Sequence, residues 1–377
     1  MIDNLPNGWK IEELGNMNLD ISDGNYSSLY PTQNEFIEKG IPFIRANNIS
    51  KNTIIDEDMR FISEDKHAIL KKGQLKQNDL LFTNRGIIGQ VGIVPDKYIG
   101  ANINAQIVRI NSGNKFTNKY LMYCFLKQEL KNQMTKLETG STLKQLPIRQ
   151  LKKLNIPIPP LEQQEKIVKV LDLTSNLIEK QKELLKNYDL FLKSKFIEMF
   201  GDPILNPMGW KVVNFEDIMV LQRGYDLPIN DRADGNIEVY GSNGVLDYHS
   251  EAKVKNGGVI TGRSGTLGKV HYTLGDYWPL NTTLFSKDLK GNNIIYLAYF
   301  LEMFKVERFS QGAGVPTLNR NLVHKEKTYK VPLELQNKFA SIVEKIEIIK
   351  EKENQKLKQL EDLHNSLMQK AFKGEIQ

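Results

Sequence analysis

Apolar residues recur at alternating steps of four and three along two stretches of the chain, residues 161–200 and 333–372. In the first stretch the positions are Ile167, Leu171, Thr174, Ile178, Gln181, Leu185, Tyr188, Leu192 and Met199. In the second they are Phe339, Val343, Ile346, Leu357, Leu360 and Leu367. This heptad spacing predicts two long helices with coiled-coil seams. Polar residues interrupt both seams near mid-helix, at Gln181 in the first and at Lys350 and Glu353 in the second.

The two stretches also begin and end alike. Pro-Leu-Glu-Gln-Gln at residues 160–164 recurs as Pro-Leu-Glu-Leu-Gln at residues 332–336, and both stretches end on phenylalanine, Phe200 and Phe372. Proline suits the first turn of a helix, and a glutamate just after it is favoured by the helix dipole. At about 1.5 Å per residue each helix would span roughly 60 Å. Apolar residues beside the first seam, at Val170, Leu177, Leu184 and Phe191, leave surface for a further partner.

The segments before each helix predict strand-rich, mixed structure. Short apolar runs bounded by turn residues occur at 40–45, 79–83, 91–94, 237–240 and 258–261. Residues 119–130 and 294–304 predict short helices, each followed by a glycine-containing turn at 139–142 or 311–314. Pro-Asn-Gly-Trp-Lys at 6–10 recurs as Pro-Met-Gly-Trp-Lys at 207–211, with Trp9 and Trp210 as packing anchors.

These echoes predict an α+β protein made of a duplicated unit, a strand-rich globular domain followed by a long helix. The predicted segments are a globular domain over 1–159, a helix over 160–201, a second globular domain over 202–331 and a second helix over 332–377. If the helices run antiparallel, they pair with each other; pairing across a homodimer is the alternative.

Composition narrows the function. The chain has 377 residues, 40% hydrophobic and 25% charged, as in soluble globular proteins. Cys124 is the one cysteine and predicts a buried small hydrophobe. Neither a signal region at residues 1–4 nor a membrane-length apolar run is present, so we expect a cytoplasmic protein. The net charge is +6, yet each long helix has seven lysines and seven acids, so the excess lies in the globular parts, where a polyanion would bind.

Catalytic signatures are weak. The sequence has no phosphate-binding Gly-x-x-x-x-Gly-Lys-Ser/Thr loop and no Asn/Asp-Pro-Pro-Tyr/Phe motif, and the glycines of 262–268 do not follow the dinucleotide-binding spacing. The five histidines, at 67, 249, 271, 324 and 364, lack metal-ligand spacing. Asp247 followed by Glu251 and Lys253 resembles a metal-dependent nuclease pattern in one half only, so a self-contained nuclease stays an alternative.

Matching loops carry polar groups that could read DNA. Arginine makes bidentate contacts with guanine or phosphate, and asparagine and glutamine can read adenine. The same residue types also cap and stabilise ordinary turns. In the first half the candidates are Arg45, Asn47, Asn48, Thr83, Asn84, Arg85, Asn104, Gln106, Ser141, Thr142 and Lys144. In the second half they are Arg223, Tyr240, Ser242, Asn243, Thr261, Arg263, Ser264, Lys269, Asn281 and Thr282.

Taken in order, these motifs resemble the specificity subunit of type I restriction–modification systems. The motifs are Gly-Trp-Lys, Gly-x-Pro-Phe-Ile, Asp-Leu-Leu-Phe-Thr with Arg-Gly-x-x-Gly-x-Val, Gly-Ser-Thr, and Pro-Pro-Leu-Glu-x-Gln before a long helix, after which the arrangement repeats. The second copy departs from this pattern at Val331-Pro332, at Leu335 and in its loop at 312–317. The resemblance implies two target recognition domains that read a bipartite double-stranded DNA sequence, and an antiparallel helical spacer with pseudo-two-fold symmetry.

The resemblance also implies partners and the absence of a catalytic site. Two modification (methyltransferase) subunits would dock on the helices, and restriction or translocase subunits would join through the complex. S-adenosylmethionine, ATP and Mg²⁺ would bind those partners, and this chain would hold no metal or cofactor. The residues expected to pair the helices or dock partners are Leu161, Glu162, Gln164, Ile167, Leu171, Ile178, Leu185, Leu192, Leu333, Glu334, Gln336, Phe339, Val343, Ile346, Leu357, Leu360 and Leu367. A coiled-coil scaffold without a DNA role is the remaining alternative.

Overall fold

The structure is a computed structural model that describes residues 6–113, 117–312 and 316–376. The chain forms two compact units, the first made of residues 1–179 with 358–377 and the second of residues 180–357. Each long helix therefore contributes one part of its length to each unit. Two segments used in the sequence predictions lie outside the described residues. They are residues 1–4, where a signal region was sought, and residues 313–315, within the second glycine-containing turn and loop.

The first unit is strand-rich. Its strands are β1 (Lys10–Glu13), β2 (Asp20–Asp23), β3 (Phe36–Ile37), β4 (Ile41–Ile44), β5 (Ile49–Ser50), β6 (Thr53–Ile54), β7 (Arg60–Ile62), β8 (Leu80–Thr83), β9 (Val91–Ile93), β10 (Asn102–Ile103), β11 (Ile107–Asn111) and β12 (Asn155–Ile158). Its helices are α1 (Glu64–Ile69), α2 (Asn118–Leu126), α3 (Gln128–Leu137), α4 (Ile148–Leu151) and the beginning of α5 (Leu161–Phe200). The larger sheets have the orders β2-β11-β8-β9 and β10-β4-β7-β3, and β1 pairs with β12.

The second unit repeats this plan. Its strands are β13 (Lys211–Asn214), β14 (Val220–Arg223), β15 (Ile237–Gly241), β16 (Gly244–His249), β17 (Gly258–Gly262), β18 (Val270–Thr273), β19 (Tyr277–Pro279), β20 (Thr283–Asp288), β21 (Ser310–Gln311), β22 (Thr317–Leu318) and β23 (Lys327–Lys330). Its helices are α6 (Ile294–Phe304), α7 (Arg320–Lys325) and part of α8 (Leu333–Phe372). The sheets have the orders β14-β20-β17-β18 and β16-β15-β19, and β13 pairs with β23.

Equivalent strands can be assigned between the units from hydrogen-bonding order alone. The antiparallel sheet β2-β11-β8-β9 corresponds to β14-β20-β17-β18, and parallel strand pairs occur in both units, β4 with β10 and β15 with β19. The predicted duplication is thus present in the strand topology, and the α+β fold class is confirmed.

One helix differs from its prediction. Residues 119–130 were expected to form one helix, but the structure has two, because Lys127 adopts extended backbone angles between α2 and α3. The break has a packing reason: Phe125 on α2 and Leu130 and Met134 on α3 are all buried in the core of the first unit. A straight helix over the same residues could not direct all three into one core. In the second unit α6 has the predicted bounds.

The repeated glutamine of each helix start fixes that helix to its globular part. Gln164 is 2% exposed, accepts a hydrogen bond from the backbone N–H of Thr117 (3.2 Å) and donates to the carbonyl of Pro159 (3.0 Å). Gln336 is 1% exposed, accepts from the backbone N–H of Asn293 (2.9 Å) and donates to the carbonyl of Val331 (2.9 Å). Thr117 and Asn293 are the N-caps of α2 and α6, so the repeated motif satisfies equivalent backbone groups in both units.

The long helices pair antiparallel within each unit. In the first unit, Thr174 contacts His364; in the second, Gln181 Nε2 donates to the side chain (2.8 Å) and carbonyl (3.0 Å) of Glu353. Lys350, also in the second unit, forms an ion pair with Asp189 (2.7 Å). The polar residues that interrupt the two heptad stripes are therefore partners of residues on the opposite helix.

The ends of the helices belong to the globular cores. Ile167 and Leu171 near the start of α5 are buried in the first core, together with Ala371 and Phe372 at the end of α8. In the second core, Leu192, Phe196 and Phe200 at the end of α5 pack with Phe339 and Val343 near the start of α8. The apolar stripes thus serve domain packing at their ends as well as helix pairing between them.

Two repeated tryptophans and the cysteine also have structural roles. Trp9 Nε1 donates to Gln163 near the start of α5 (3.0 Å), and Trp210 Nε1 donates to the carbonyl of Phe200 at its end (3.0 Å). Cys124 is buried, and this burial raises the pKa of its thiol to about 12. Among the described residues, no helix combines the length and apolar character that a bilayer-spanning segment requires.

Candidate nucleic-acid interface

In the second unit, the loop after β17 holds the backbone of Arg263 between two neighbouring segments. Its N–H donates to the carbonyl of Thr282 (2.8 Å), and its carbonyl accepts from the N–H of Leu318 (2.8 Å). A Cβ on Gly262 would lie 1.7 Å from the carbonyl oxygen of Thr266, so only glycine fits directly before the arginine. The backbone of Arg263 is therefore fixed, while its side chain remains partly exposed.

The turn between β15 and β16 lies against this loop. Lys269 Nζ donates to Oδ1 of Asn243 (2.9 Å), and Ser242 Cβ lies 3.2 Å from the position that a Cβ on Gly262 would take. Asn243 and Lys269 are exposed, and Ser242 and Ser264 are half-buried. The structure thus brings together polar residues from two of the predicted loops.

A cavity of about 390 Å³ adjoins the same loop. Three arginines contribute to its lining: Arg223 at the end of β14, Arg263, and Arg320 at the start of α7. Sequence reasoning proposed the first two and missed Arg320, which lies six residues after the glycine-containing turn at 311–314. The polar residues that complete the lining are Gln311, Thr317, Asn319 and Asn321.

The remaining candidates of the second unit take part in the fold. Asn281 donates to the carboxylate of Asp226, and the carbonyl of Thr282 accepts the N–H of Arg263. Tyr240 is 5% exposed, and burial raises the pKa of its phenol. The side chain of Thr261 is fully buried.

In the first unit, the loop after β8 has a similar backbone frame but more buried side chains. Asn84 donates its N–H to the carbonyl of Gln106 (2.9 Å) and accepts from the N–H of Leu146 (2.8 Å). It is 2% exposed, and its side-chain oxygen has no hydrogen-bond partner in the described part of the chain. Thr83 is fully buried; its hydroxyl donates to the carbonyl of Ile87 (2.5 Å) and accepts from the N–H of Gln90 (2.9 Å).

These backbone bonds give a register that the sequence comparison did not. Asn84 and Arg263 make equivalent hydrogen bonds, to Gln106 and Leu146 in one unit and to Thr282 and Leu318 in the other. The next residues also match, since Arg85 bridges to Gln145 and Ser264 bridges to Thr317. Arg85 and Arg263, the arginines of the two matching loops, therefore occupy neighbouring positions and not the same one.

Arg85 lies beside an aromatic ring that was not among the predicted residues. Its guanidinium is 5.2 Å from the ring centroid of Tyr26, and the ammonium of Lys72 lies 4.8 Å from the same ring. Tyr26 and Arg85 are half-buried. Such an aromatic residue flanked by two cations gives the first unit a mixed positive and apolar surface, which a nucleic acid can contact.

The third loop of the first unit is held by its own ion pair. Arg45 contacts Asp58 at 2.6 Å, and this hydrogen-bonded guanidinium lowers the pKa of the Asp58 carboxyl. Asn48 is fully buried and donates to the carbonyl of Glu57 (2.8 Å), while Asn47 is exposed. Of this group, Asn47 is the residue whose side chain is open to solvent.

Other first-unit candidates are divided between buried and exposed positions. Asn104 is 4% exposed and donates to Oε1 of Gln106 (3.1 Å), which is itself exposed. Ser141, Thr142 and Lys144 are exposed, and Lys144 pairs with Glu138 at 3.1 Å.

The helix residues expected to pair or dock fall into three groups. Gln164, Ile167, Leu171, Ile178, Leu192, Gln336, Phe339 and Val343 are buried. Leu185, Ile346, Leu357, Leu360 and Leu367 are half-buried. Leu161, Glu162, Leu333 and Glu334 are exposed.

The nuclease pattern is not assembled. Asp247 pairs with Arg232 (2.7 Å), and this hydrogen bond lowers the pKa of the Asp247 carboxyl. The ammonium of Lys253 lies 5.0 Å from the ring centroid of Trp278. In the part of the chain that the structure describes, no three His, Cys, Asp or Glu side chains are grouped to hold a metal ion. The geometry gives the nuclease alternative no support.

Comparison with known families decides the assignment. The family described as "Type I restriction modification DNA specificity domain" matches residues 7–187 and again residues 207–362. The chain belongs to this family. The two matches correspond to the two copies of the repeat, so the resemblance drawn from the sequence motifs is confirmed.

Curated relatives carry the same family name. The chain is 29% identical over 188 residues to the type I restriction enzyme MjaVIII specificity subunit of Methanocaldococcus jannaschii, covering 48% of this chain and 43% of that protein. It is 26% identical over 251 residues to the MjaIX specificity subunit of the same organism, covering 60% and 55%. The match to the EcoBI specificity subunit of Escherichia coli has 28% identity over 134 residues, covering 35% and 28%. The chain spans about half the length of the first two of these relatives.

Solved structures confirm the specificity-subunit fold. The S subunit of a type I restriction-modification system from M. genitalium aligns with a TM-score of 0.58 and 16% identity, covering 98% of this chain and 97% of that one. A chain from a study of complex assembly and conformational transition of the type I R-M system aligns with a TM-score of 0.59 and 17% identity, covering 98% of both. These alignments extend over both repeats and both long helices.

Proposed function

We propose that this chain is the DNA-reading subunit of a type I restriction–modification complex and recognises a bipartite double-stranded target. Residues 1–159 and 202–331 each read one half-site, and residues 160–201 and 332–377 form the helical spacer. The observation that carries the proposal is the repeated sheet with a polar loop at one equivalent strand end. The exposed polar residues beside the two loops differ in type, Gln106 in the first unit against Asn243 and Lys269 in the second, which suits two different half-sites.

The long helices supply the surface for two modification subunits. Leu177, Leu184 and Phe191 are 41%, 38% and 48% exposed, although they are large and apolar. Further exposed apolar residues on α5 are Leu173, Leu190 and Ile197. An apolar helix face of this kind favours a protein partner. The restriction or translocase subunits would join through the same complex.

In this proposal the chain itself catalyses nothing. S-adenosylmethionine would bind the modification subunits, and ATP and Mg²⁺ the restriction subunits. The side chains of this chain position the duplex: arginine and lysine contact phosphates, and amides or arginine contact base edges.

Genome-wide mapping of methylated bases tests the proposal. The chain is expressed with its cognate modification subunit in a host that lacks other methylation, and the same host without this chain is the control. We expect a two-part motif that depends on the chain, with half-site centres about 10 base pairs apart if both units approach one face of the duplex. A continuous motif, or one that persists without the chain, would contradict it.

A second assay addresses the alternatives. Purified chain is incubated with plasmid and Mg²⁺, and its binding to duplex DNA with the modification subunit is measured at several salt concentrations. We expect no cleavage and salt-dependent binding, since phosphate contacts release counterions. Cleavage by the chain alone would favour a nuclease, and salt-independent or absent binding would favour a scaffold without a DNA role.

A further inference from the structure

The arginine cavity of the second unit is strongly positive. Among the described residues that line it, none is aspartate or glutamate. Arg223 approaches Asp226 only at 3.9 Å, and the Arg223 side chain is 52% exposed. Within the described part of the chain, the guanidinium groups of Arg263 and Arg320 have neither a hydrogen bond nor an ion pair. Three cations have thus been brought to one cavity with little internal compensation, an arrangement that favours an anionic ligand.

The cavity is also built to hold its shape. Its floor includes Leu284 and Leu318, which are 1% and 2% exposed. The backbone of Arg263 is fixed on both sides, and Asn319 Nδ2 donates to Oε1 of Gln311 (2.9 Å) across the lining. The guanidinium groups are therefore carried by ordered backbone, which limits the entropy lost when they bind a ligand.

The number of arginines distinguishes a phosphate from a base edge. The major-groove edge of guanine is neutral and offers two acceptors, which a single guanidinium satisfies. A phosphate carries a negative charge and several acceptor oxygens, so it can be contacted by more than one guanidinium. Three arginines in one cavity, of which Arg263 and Arg320 have no ion pair with a described residue, match the second ligand better than the first.

The described residues of the first unit have no arginine at the three equivalent positions. The bond between Leu146 and Asn84 is equivalent to that between Leu318 and Arg263, so Ile148 takes the place of Arg320 two residues later. Asp23 pairs with Val108 on β11 and Arg223 pairs with Leu284 on β20, and these partners lie two residues after Gln106 and Thr282 respectively. Asp23 therefore stands where Arg223 stands in the second unit. The three arginine positions correspond to aspartate, asparagine and isoleucine.

We infer that the cavity lined by Arg223, Arg263 and Arg320 binds a backbone phosphate of the DNA, and that the second unit makes this contact without an equivalent in the first. The inference rests on the proposed function and adds a division of labour to it. The cavity anchors the duplex independently of sequence, and the exposed residues of the neighbouring loops, such as Asn243 and Lys269, are left to contact the bases.

Salt-dependent binding tests the inference on the complex of this chain with its modification subunits. The probes are a duplex that contains the mapped target and a duplex of the same length with the target scrambled. The variants are Arg320→Gln, Arg223→Gln and Arg320→Lys. The control is Lys290→Asn, which removes a positive charge just beyond the C-terminal end of β20. Lys290 has a φ of 51°, a left-handed backbone conformation that asparagine tolerates.

We expect Arg320→Gln and Arg223→Gln each to weaken binding to both duplexes by a similar factor, about tenfold. The slope of log affinity against log salt should become shallower by about 0.9, the value for one phosphate contact. Arg320→Lys should keep the slope, the control should keep both quantities, and the methylated motif should not change. Thermal unfolding confirms that each variant is folded. Arg223→Gln is the variant that should perturb folding least, because the Arg223 side chain is exposed.

Other results overturn the inference. A changed base at one position of the methylated motif, with an unchanged salt slope, would assign the arginines to base recognition. Unchanged binding to both duplexes would remove the cavity from the interface while leaving the proposed function intact. If the unsubstituted complex binds neither duplex, the proposed function itself fails, so the two failures are distinguishable.

Discussion

Oγ1 of Thr174 on α5 lies 2.7 Å from Nδ1 of His364 on α8, within the first unit. Burial lowers the pKa of His364 below its ordinary value of 6.5, because a buried imidazolium loses its hydration. The unfolded chain therefore binds more protons than the folded chain between the two pKa values. The stability contributed by the neutral imidazole is present above pH 6.5 and is lost as the pH falls through the folded pKa.

Acidification below the ordinary pKa of histidine should therefore destabilise the chain. We expect the thermal unfolding midpoint to fall between about pH 7 and about pH 5, and His364→Gln to reduce that fall. Burial also lowers the pKa of His271 and His324 in the second unit, so part of the pH dependence should remain. Circular dichroism melts across this range check the prediction, and parallel curves for the variant and the unsubstituted chain would refute it.

Gln164 and Gln336 should contribute more to the free energy of unfolding than glutamines usually do, because most glutamines lie at the surface and these two are buried. Gln336→Ala leaves the N–H of Asn293 and the carbonyl of Val331 without their partner, and a buried unsatisfied polar group costs about 1–3 kcal/mol. We expect a similar loss for Gln164→Ala. Gln336→Glu, which can accept from Asn293 but cannot donate to Val331 when ionised, should not restore full stability. Denaturant unfolding measures each change, and a loss below about 0.5 kcal/mol would contradict this account.

A core substitution at the end of α8 should affect the first unit. Phe372 is 2% exposed, and its ring packs 5.6 Å from that of Tyr120. Phe372→Ala should cost about 3–5 kcal/mol and accelerate hydrogen exchange of first-unit amides such as those of β8 and β11. The matched variant is Phe200→Ala at the same repeat position, whose exchange effect should fall on the second unit. Exchange that responds in the same unit for both variants would contradict the division into units.

The glycine before Arg263 should control one half of the target. Gly262→Ala would place a Cβ 1.7 Å from a backbone oxygen, so the loop must change shape. We expect methylation to lose discrimination in one half-site by about tenfold or more, a change as large as losing a base-pair contact, while the other half-site is read normally. Gly265→Asn, at a positive φ of 79° that asparagine tolerates, is the control in the same loop. An unaltered motif for Gly262→Ala would separate this loop from recognition.

Charges placed on the apolar face of α5 should impair assembly more than folding. Leu177→Lys and Leu184→Glu change exposed side chains, so the free energy of unfolding should move by no more than about 0.5 kcal/mol. Copurification with the modification subunits should fall, since a charge would be buried in the interface. Glu183→Ala, an exposed position on the same helix, is the control. Normal assembly by both leucine variants would exclude this face as the docking surface.

The long helices were predictable because their signals are local. The proline start, the heptad stripe and the gapless repeat marked residues 161–200 and 333–372, which are the bounds of α5 and α8, although the segment assigned to the second helix continued to residue 377. The interruption at Gln181 and Glu353 was visible as a pattern, and the structure explains it as a contact between the two helices. The break at Lys127 was not visible, because it depends on the direction in which Leu130 and Met134 must be buried.

The residue types of the candidate interface were predictable from the sequence, but their positions in the structure were not. Glycine-rich loops marked Arg263 and Lys269, yet the true equivalent of Arg263 is Asn84, a register fixed by hydrogen bonds to segments far along the chain. Arg320 was missed because tertiary folding brings it to the cavity with Arg223, far from it in sequence. Burial of Thr83 and Thr261 likewise followed from sheet packing, and Asn48 is buried in a turn where it donates to the carbonyl of Glu57; residue type reveals neither. Whether individual loop residues contact bases stays a prediction.

The first unit consists of two segments that are far apart in the sequence, and this arrangement sets the order in which the two units can finish folding on the ribosome. Residues 1–179 emerge first, but Ala371 and Phe372 of their core lie beyond the whole of the second unit. At about 5–20 residues per second, synthesis of the intervening segment takes on the order of 10–40 s. The second unit, residues 180–357, is continuous and has no such delay. The part of the protein that is made first is therefore completed last, and its apolar surface must be kept from aggregation during that interval.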